Sequence, residues 1–211
     1  MTDARTNILA RLQQDQREST TPQPIPTPSV KASSTSTTTL LEQFKRGLDK
    51  VSASHEVVTT EALIAEAIER YLHQQEAGNQ LVVAPAINHA GLLRNCTLQL
   101  QPAPTRGNEK NAITLAYAGI AETGSLVMLS AADTPVTTNF LPDNFICVLK
   151  TTDVLKDMEA LWARMLSEQR SMPRCVNLIT GPSRTADVEQ VIQIGAHGPR
   201  RVHVILWEKT D

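Results

Sequence analysis

Two polar stretches near the end of the chain carry residue types suited to holding a small anion. Gly181-Pro182-Ser183-Arg184-Thr185 follows the apolar run Val176–Ile179, and Gly195-Ala196-His197-Gly198-Pro199-Arg200-Arg201 precedes the apolar run 202–207. Ala186-Asp187-Val188-Glu189 reads as a helix start, with Ser183 or Thr185 as its cap. Unpaired N–H groups at a helix start, with the Arg184 guanidinium beside them, make a seat for a carboxylate or phosphate. Ser183, Arg184 and Thr185 are therefore ligand-binding candidates. Asp187 either favours the helix start through the dipole or orients Arg184. In the second loop His197 is flanked by Gly195 and Gly198, in a loop that can expose it as a general acid or base. Arg200, next to the Gly-Pro turn, is the better ligand of the arginine pair; Arg201 is free to pair with an acid. The plainer reading of these residues is a surface arginine, a helix cap and a structural histidine.

A third polar turn lies upstream. Ala121-Glu122-Thr123-Gly124-Ser125 directly precedes the apolar run 126–129. Gly124 permits a tight turn and close ligand approach. Thr123 adds a hydroxyl, and Glu122 can act as base, nucleophile or hydrogen-bond acceptor. Its plainer reading is a solvated turn glutamate. A 2-hydroxy acid needs a cation for its carboxylate and a base for its hydroxyl proton. Arg184 or Arg200 with His197 supplies both. Glu122 and His197 are the catalytic candidates; Thr123, Gly124, Ser183, Arg184, Thr185 and Arg200 are the ligand-binding ones. His203 alternates with apolar residues and reads as structural. No metalloprotease helix, Walker loop or dinucleotide fingerprint occurs, so metal and dinucleotide binding have no support. Cys96, Cys147 and Cys175 are scattered and odd in number. They read as small buried hydrophobes and not as a cluster set, which needs four thiolates.

The elements that must position these residues follow from pattern. Ile8, Leu9 and Leu12 suggest a short helix in 1–18, and 19–39 is a Pro/Ser/Thr-rich linker unable to offset its ordering entropy. The folded domain spans 40–211. Helices are expected from about 40 to 50, at 61–75 behind Thr60, and at 153–169 behind Asp153 as cap. Strands are expected at 57–58, 81–83, 113–115, 125–129, 145–149, Val176–Ile179 and 202–207. Alternating helices with short, wholly apolar strands describe an α/β fold, layered, with a largely parallel sheet covered by helices. Glu122, Ser183, Arg184 and His197 are then expected in one pocket at the carboxyl edge of that sheet.

GPSRTADVE, GAHGPRRVHVIL and the upstream AETGS together resemble lactate utilization protein C of the LUD-domain family, over about residue 40 to Trp207. Ser125 stands where that family usually has Thr, Val188 where Ile is usual, and Ala196 where Val is usual. The resemblance implies a fold like that of ribose-5-phosphate isomerases and CoA transferases. In CoA transferases of that fold a glutamate attacks the thioester, which bears on Glu122. It also implies a role as a subunit or accessory in oxidising L-lactate to pyruvate. Iron–sulfur clusters are then expected in partner subunits, with no cofactor in this chain. Two alternatives stay open: a stand-alone CoA-transferase-like or sugar-phosphate enzyme using Glu122, and a non-catalytic ligand-binding or assembly module. Composition narrows the partners. The formal net charge is −2 and aromatics make up 3% of the 211 residues, so nucleic acid is not expected. The N-terminus lacks an apolar signal region and no run is long enough for a membrane span, so the expected location is the cytoplasm.

Overall fold

Short apolar runs build a six-stranded, all-parallel sheet at the centre of the chain. The computed structural model describes residues 10, 37–94, 96–103, 105, 109–168, 171–186, 192–195 and 197–208. The helix expected in 1–18 (residue 10 apart), the linker up to residue 36 and the helix expected from residue 187 lie outside them. The chain divides into units at 1–31 and 32–211, and the second contains everything below.

The sheet strands are β1 (Ser54–Val58), β2 (Gln80–Val83), β3 (Gln99–Pro102), β4 (Asn111–Leu115), β7 (Asn144–Lys150) and β12 (Arg201–Trp207). They are ordered β1-β12-β7-β4-β2-β3. Residues Phe145, Ile146, Cys147, Val148 and Leu149 of β7 are all fully buried. A strand buried on both faces needs such a continuous apolar run. On one face Ile113, Ile146, Val148 and Ile205 pack with Ile64, Ile68, Tyr71 and Leu72, the buried side of α2 (Glu61–Gln74). On the other, Phe145, Cys147, Leu149, Val204 and Leu206 pack with Phe44 and Leu48 of α1 (Thr37–Lys50). Each fully buried large side chain contributes about 1.5–3 kcal/mol. α1 begins inside the stretch expected to be linker, because the anchoring of Leu41, Phe44 and Leu48 carries the helix back by a turn.

A second, mostly antiparallel sheet accompanies the expected largely parallel one. β5 (Ala118–Ile120), β6 (Ser125–Leu129), β8 (Val154–Leu155) and β9 (Val176–Ile179) are ordered β8-β5-β6-β9. Its β5–β6 and β6–β9 pairs are antiparallel. Strands of two and three residues are too short to show a period. Leu161 and Met165 of α5 (Met158–Ser167) cover this sheet. Its cap is Asp157, whose Oδ1 accepts the Ala160 N–H at 2.9 Å. Asp153, the expected cap, pairs instead with Arg164 Nη2 at 3.0 Å. Two shorter helices, α3 (Pro85–Ala90) and α4 (Thr137–Phe140), complete the unit.

The helix start expected around Ser183 is also corrected. Arg184–Ala186 forms β10, paired antiparallel with β11 (Ile192–Ile194). Ser183 therefore precedes a strand, and Thr185 lies within it. The cysteines differ too. Cys147 is buried and burial pushes its thiol far up, but Cys96 and Cys175 are partly exposed. Cys175 Sγ lies 3.1 Å from Asn177 Oδ1.

Candidate functional site

The 121–124 turn is clamped from both sides by backbone. Its Ala121 and Glu122 N–H groups donate to the Leu155 and Lys156 carbonyls at 2.8 and 3.0 Å, and the Gly124 N–H closes the turn on Ile120 at 2.9 Å. Gly124 has φ +68, in the left-handed region. It lies directly on α1: a Cβ placed on Gly47 would stand 2.7 Å from the Gly124 Cα. Two glycines thus let helix and turn meet backbone to backbone. The side chains of Glu122 and Thr123 remain exposed.

Below them runs a chain of hydroxyls. Thr123 Oγ1 and Ser125 Oγ are 2.7 Å apart, and Ser125 Oγ and Thr180 Oγ1 are 2.7 Å apart. Ser125 is buried, so this chain leads from the exposed turn to the end of β9. There Gly181, at φ +80, packs against the Val51 carbonyl just after α1. Beside it opens a cavity of about 220 Å³ lined by Gln43, Arg46, Lys50 and Val51 on one side and by Glu122 and Thr123 on the other. Of the residues lining this cavity, Glu122 and Thr123 stood out in the sequence and Arg46 and Lys50 did not. Their only signal was their spacing, four apart on the polar side of an amphipathic helix.

The other candidates form a cluster two residues further along. The Ser183 N–H donates to the Pro199 carbonyl at 2.8 Å, and the Gly195 N–H donates to the Ser183 carbonyl at 3.0 Å. Gly198 packs against the Ser183 side chain. Arg200 Nε pairs with Asp143 Oδ1 at 3.3 Å. Arg201 meets an amide and not an acid: its Nη1 lies 3.4 Å from Asn144 Oδ1, and Asn144 Nδ2 donates to Asn111 Oδ1 at 2.8 Å. His197 and Arg184 are exposed. The structure therefore brings Ser183, His197 and Arg200 together in one loop pair. None of the three, nor Arg184, lines the cavity that holds Glu122 and Thr123, so the expected single pocket is not formed; the hydroxyl chain from Thr123 through Ser125 to Thr180 is the link between the two groups.

Their position in the sheet corrects the expectation of a carboxyl-edge site. Asp143 and Arg200 immediately precede β7 and β12, and Val51 lies just before β1. All three mark the amino edge. The carboxyl edge holds a different cavity, about 250 Å³, between Leu115, Tyr117, Asp133, Asp153 and Arg164. Its guanidinium is taken: Arg164 pairs with Asp153 and, at 2.9 Å, with Glu168, and lies 4.7 Å above the Tyr117 ring.

The LUD-domain profile matches residues 41–207, the span that holds both sheets and the 121–124 turn. The chain is a LUD-domain protein. YkgG of Escherichia coli (strain K12) is 29% identical over 167 residues, 71% of each chain. Lactate utilization protein C of Anoxybacillus flavithermus is 30% identical over 91 residues, 43% of this chain and 40% of that protein. Lactate utilization protein C of Bacillus subtilis is 30% identical over 97 residues, 44% of this chain and 40% of that protein. The matched stretches thus span well under two thirds of those two relatives. A DUF162-family protein from Deinococcus radiodurans, known from a crystal structure, superposes with a TM-score of 0.61 at 22% identity, covering 82% of this LUD protein and 99% of that chain. This LUD protein shares that fold. No helix among its described residues is long and apolar enough to cross a membrane.

Proposed function

We propose that this LUD protein is a cytoplasmic subunit or accessory protein of an iron–sulfur-dependent system that oxidises L-lactate to pyruvate, and that it binds a small carboxylate or phosphate. The names of its relatives support the lactate role. The observation that carries the ligand role is the backbone-clamped turn, which presents Glu122 and Thr123 at the mouth of a cavity. In this reading Glu122 accepts the hydroxyl proton or hydrogen bond of the ligand. Thr123 and Gly124 shape the seat. Ser183, Arg184, Thr185, His197 and Arg200 would add ligand contacts from the neighbouring loop pair, outside the cavity lining itself.

The oxidation releases two electrons, and these pass to clusters in partner subunits. This chain's thiols do not suit a cluster of its own. Cys147 is buried in the parallel sheet, Cys96 lies before β3, and Cys175 lies before β9 in the other sheet. Affinity purification of the tagged full chain from cells grown on L-lactate tests this reading. A stoichiometric partner containing iron and acid-labile sulfide is expected. Recovery of the chain alone, from cells shown to be oxidising lactate, would overturn it.

A second reading draws on the exposed Glu122 carboxylate, whose oxygens carry no hydrogen bond or ion pair among the described residues. Such a group can attack a thioester, as in a CoA transferase. Incubation with acyl-CoA and acetate separates the two readings. Thioester exchange lost in Glu122→Gln would favour the enzyme, and no exchange the subunit.

A further inference from the structure

A small carboxylate needs a positive group that is not already neutralised, and assigning that group rests on the ligand role proposed for the Glu122 cavity. Arg200 is held by Asp143, Arg201 is turned to Asn144, and Arg164 is shared between Asp153 and Glu168. On α1, Lys45 is tied to Glu42 at 2.8 Å. Arg184 is off the lining of the Glu122 cavity, whereas Arg46 and Lys50 are on it, Arg46 with only the neighbouring charge of Glu42, which Lys45 already binds. Arg46 and Lys50 stand one turn apart on one helix face, and neither is in a salt bridge among the described residues.

Charge narrows the ligand. Arg46, Lys50 and Glu122 together leave one positive charge at the cavity. That suits a monoanion better than a dianion, which would meet Glu122 with its surplus charge. Glu122 is an acceptor, so it repels a second carboxylate but welcomes a hydroxyl. The Gly47–Gly124 contact fixes the spacing between the two sides, because the helix carrying the cations and the turn carrying the carboxylate touch through backbone. A volume of about 220 Å³ accommodates a three-carbon acid with some water.

We propose that Arg46 and Lys50 are the carboxylate-binding pair of this cavity, and that its ligand is a small 2-hydroxymonocarboxylate whose hydroxyl hydrogen-bonds to Glu122.

Isothermal titration of the purified full chain with L-lactate, pyruvate and inorganic phosphate tests the assignment. L-lactate is expected to bind more tightly than either of the others. The double variant Arg46→Gln/Lys50→Gln should weaken it by roughly 10- to 150-fold, the effect of losing a charge-assisted hydrogen bond. Lys45→Gln, on the same helix but off the cavity, should leave it unchanged. Glu122→Gln should narrow the preference for L-lactate over pyruvate. The three side chains are exposed, so melting temperatures should stay near the parent value; Arg46→Lys, which restores the charge, should recover part of the affinity. Unaltered L-lactate binding in the double variant would overturn the Arg46/Lys50 assignment while leaving the ligand role standing. Tighter binding of phosphate would overturn the ligand class. No binding of any of the three by the parent chain would overturn both.

Discussion

Gly124 is constrained twice, by its positive φ and by the backbone of α1. An alanine there takes on the left-handed penalty of about 1–3 kcal/mol and also drives a methyl into the Gly47 carbonyl. Gly124→Ala should therefore lose at least about 2 kcal/mol in urea unfolding. Gly47→Ala sits in a helix, where alanine is intrinsically favoured, yet it should also destabilise because it meets the same backbone. A Gly47→Ala protein as stable as the parent would rule out the direct helix–turn contact. A second residue-scale consequence lies at β12. The His203 ring is stacked on Tyr71 with 4.0 Å between centroids, and its Nδ1 lies 2.8 Å from Ser54 Oγ. Burial, with His55 nearby, holds His203 down at about 4 instead of 6.5. The folded state thus disfavours the proton that the unfolded chain accepts. Stability from this group is complete above about pH 6.5 and declines toward pH 4, at up to about 1.4 kcal/mol per unit. Urea midpoints between pH 7 and 5 should fall accordingly, and His203→Gln should flatten that part of the slope. An equal slope in the variant would mean another group is responsible. At this scale the meeting of two loops was legible. Ser183, His197 and Arg200 stood out because Gly and Pro break the chain beside apolar strands, and those loops do meet. Arg46 and Lys50 were not legible: basic residues on the polar side of a helix look like a solvated face. Only the contact between two glycines far apart in sequence turns that face toward Glu122.

The elements divide by length. α1 and α2 show apolar residues at helical spacing over several turns, and β7 and β12 are unbroken apolar runs, so pattern alone places them. β5 and β8 carry no period of their own and exist because β6 offers β5 a partner and β5 in turn pairs with β8. The 184–186 segment was misread because Ser183, Thr185 and Asp187 imitate a helix cap, while the strand that pairs with it comes later in the chain. Capping also separates two aspartates that look alike in sequence. Asp157→Ala removes the acceptor for the Ala160 N–H and should cost about 1 kcal/mol. Asp153→Ala removes a part-exposed ion pair while Glu168 still holds Arg164, so its effect should lie within about 0–1 kcal/mol. Chemical denaturation of both variants checks the order; a greater loss for Asp153→Ala would mean that the Arg164 pair matters more than the cap.

Across the whole molecule, a parallel sheet sets one edge beside a clamped turn and a helix face. The chain enters β7 and β12 from polar loops, and α1 ends just before β1, so the amino edge gathers the polar candidates. The rule that open α/β sheets bind ligands at the carboxyl edge pointed elsewhere. At that edge the ion pairs of Arg164 leave its guanidinium neutralised. The family was legible from three motifs; which edge they occupy was not, because that depends on which end of each strand a loop feeds. The role proposed for this LUD protein is in L-lactate oxidation through the Glu122 cavity. Its most direct test is growth on L-lactate as sole carbon source of a strain lacking the chain, complemented with the parent or with Glu122→Gln at equal abundance. Loss of growth on L-lactate, with normal growth on pyruvate, is expected for the deletion. The parent should rescue it and Glu122→Gln should not. Growth of the deletion strain on L-lactate at the parental rate would contradict the lactate role, and full rescue by Glu122→Gln would contradict the role of the cavity.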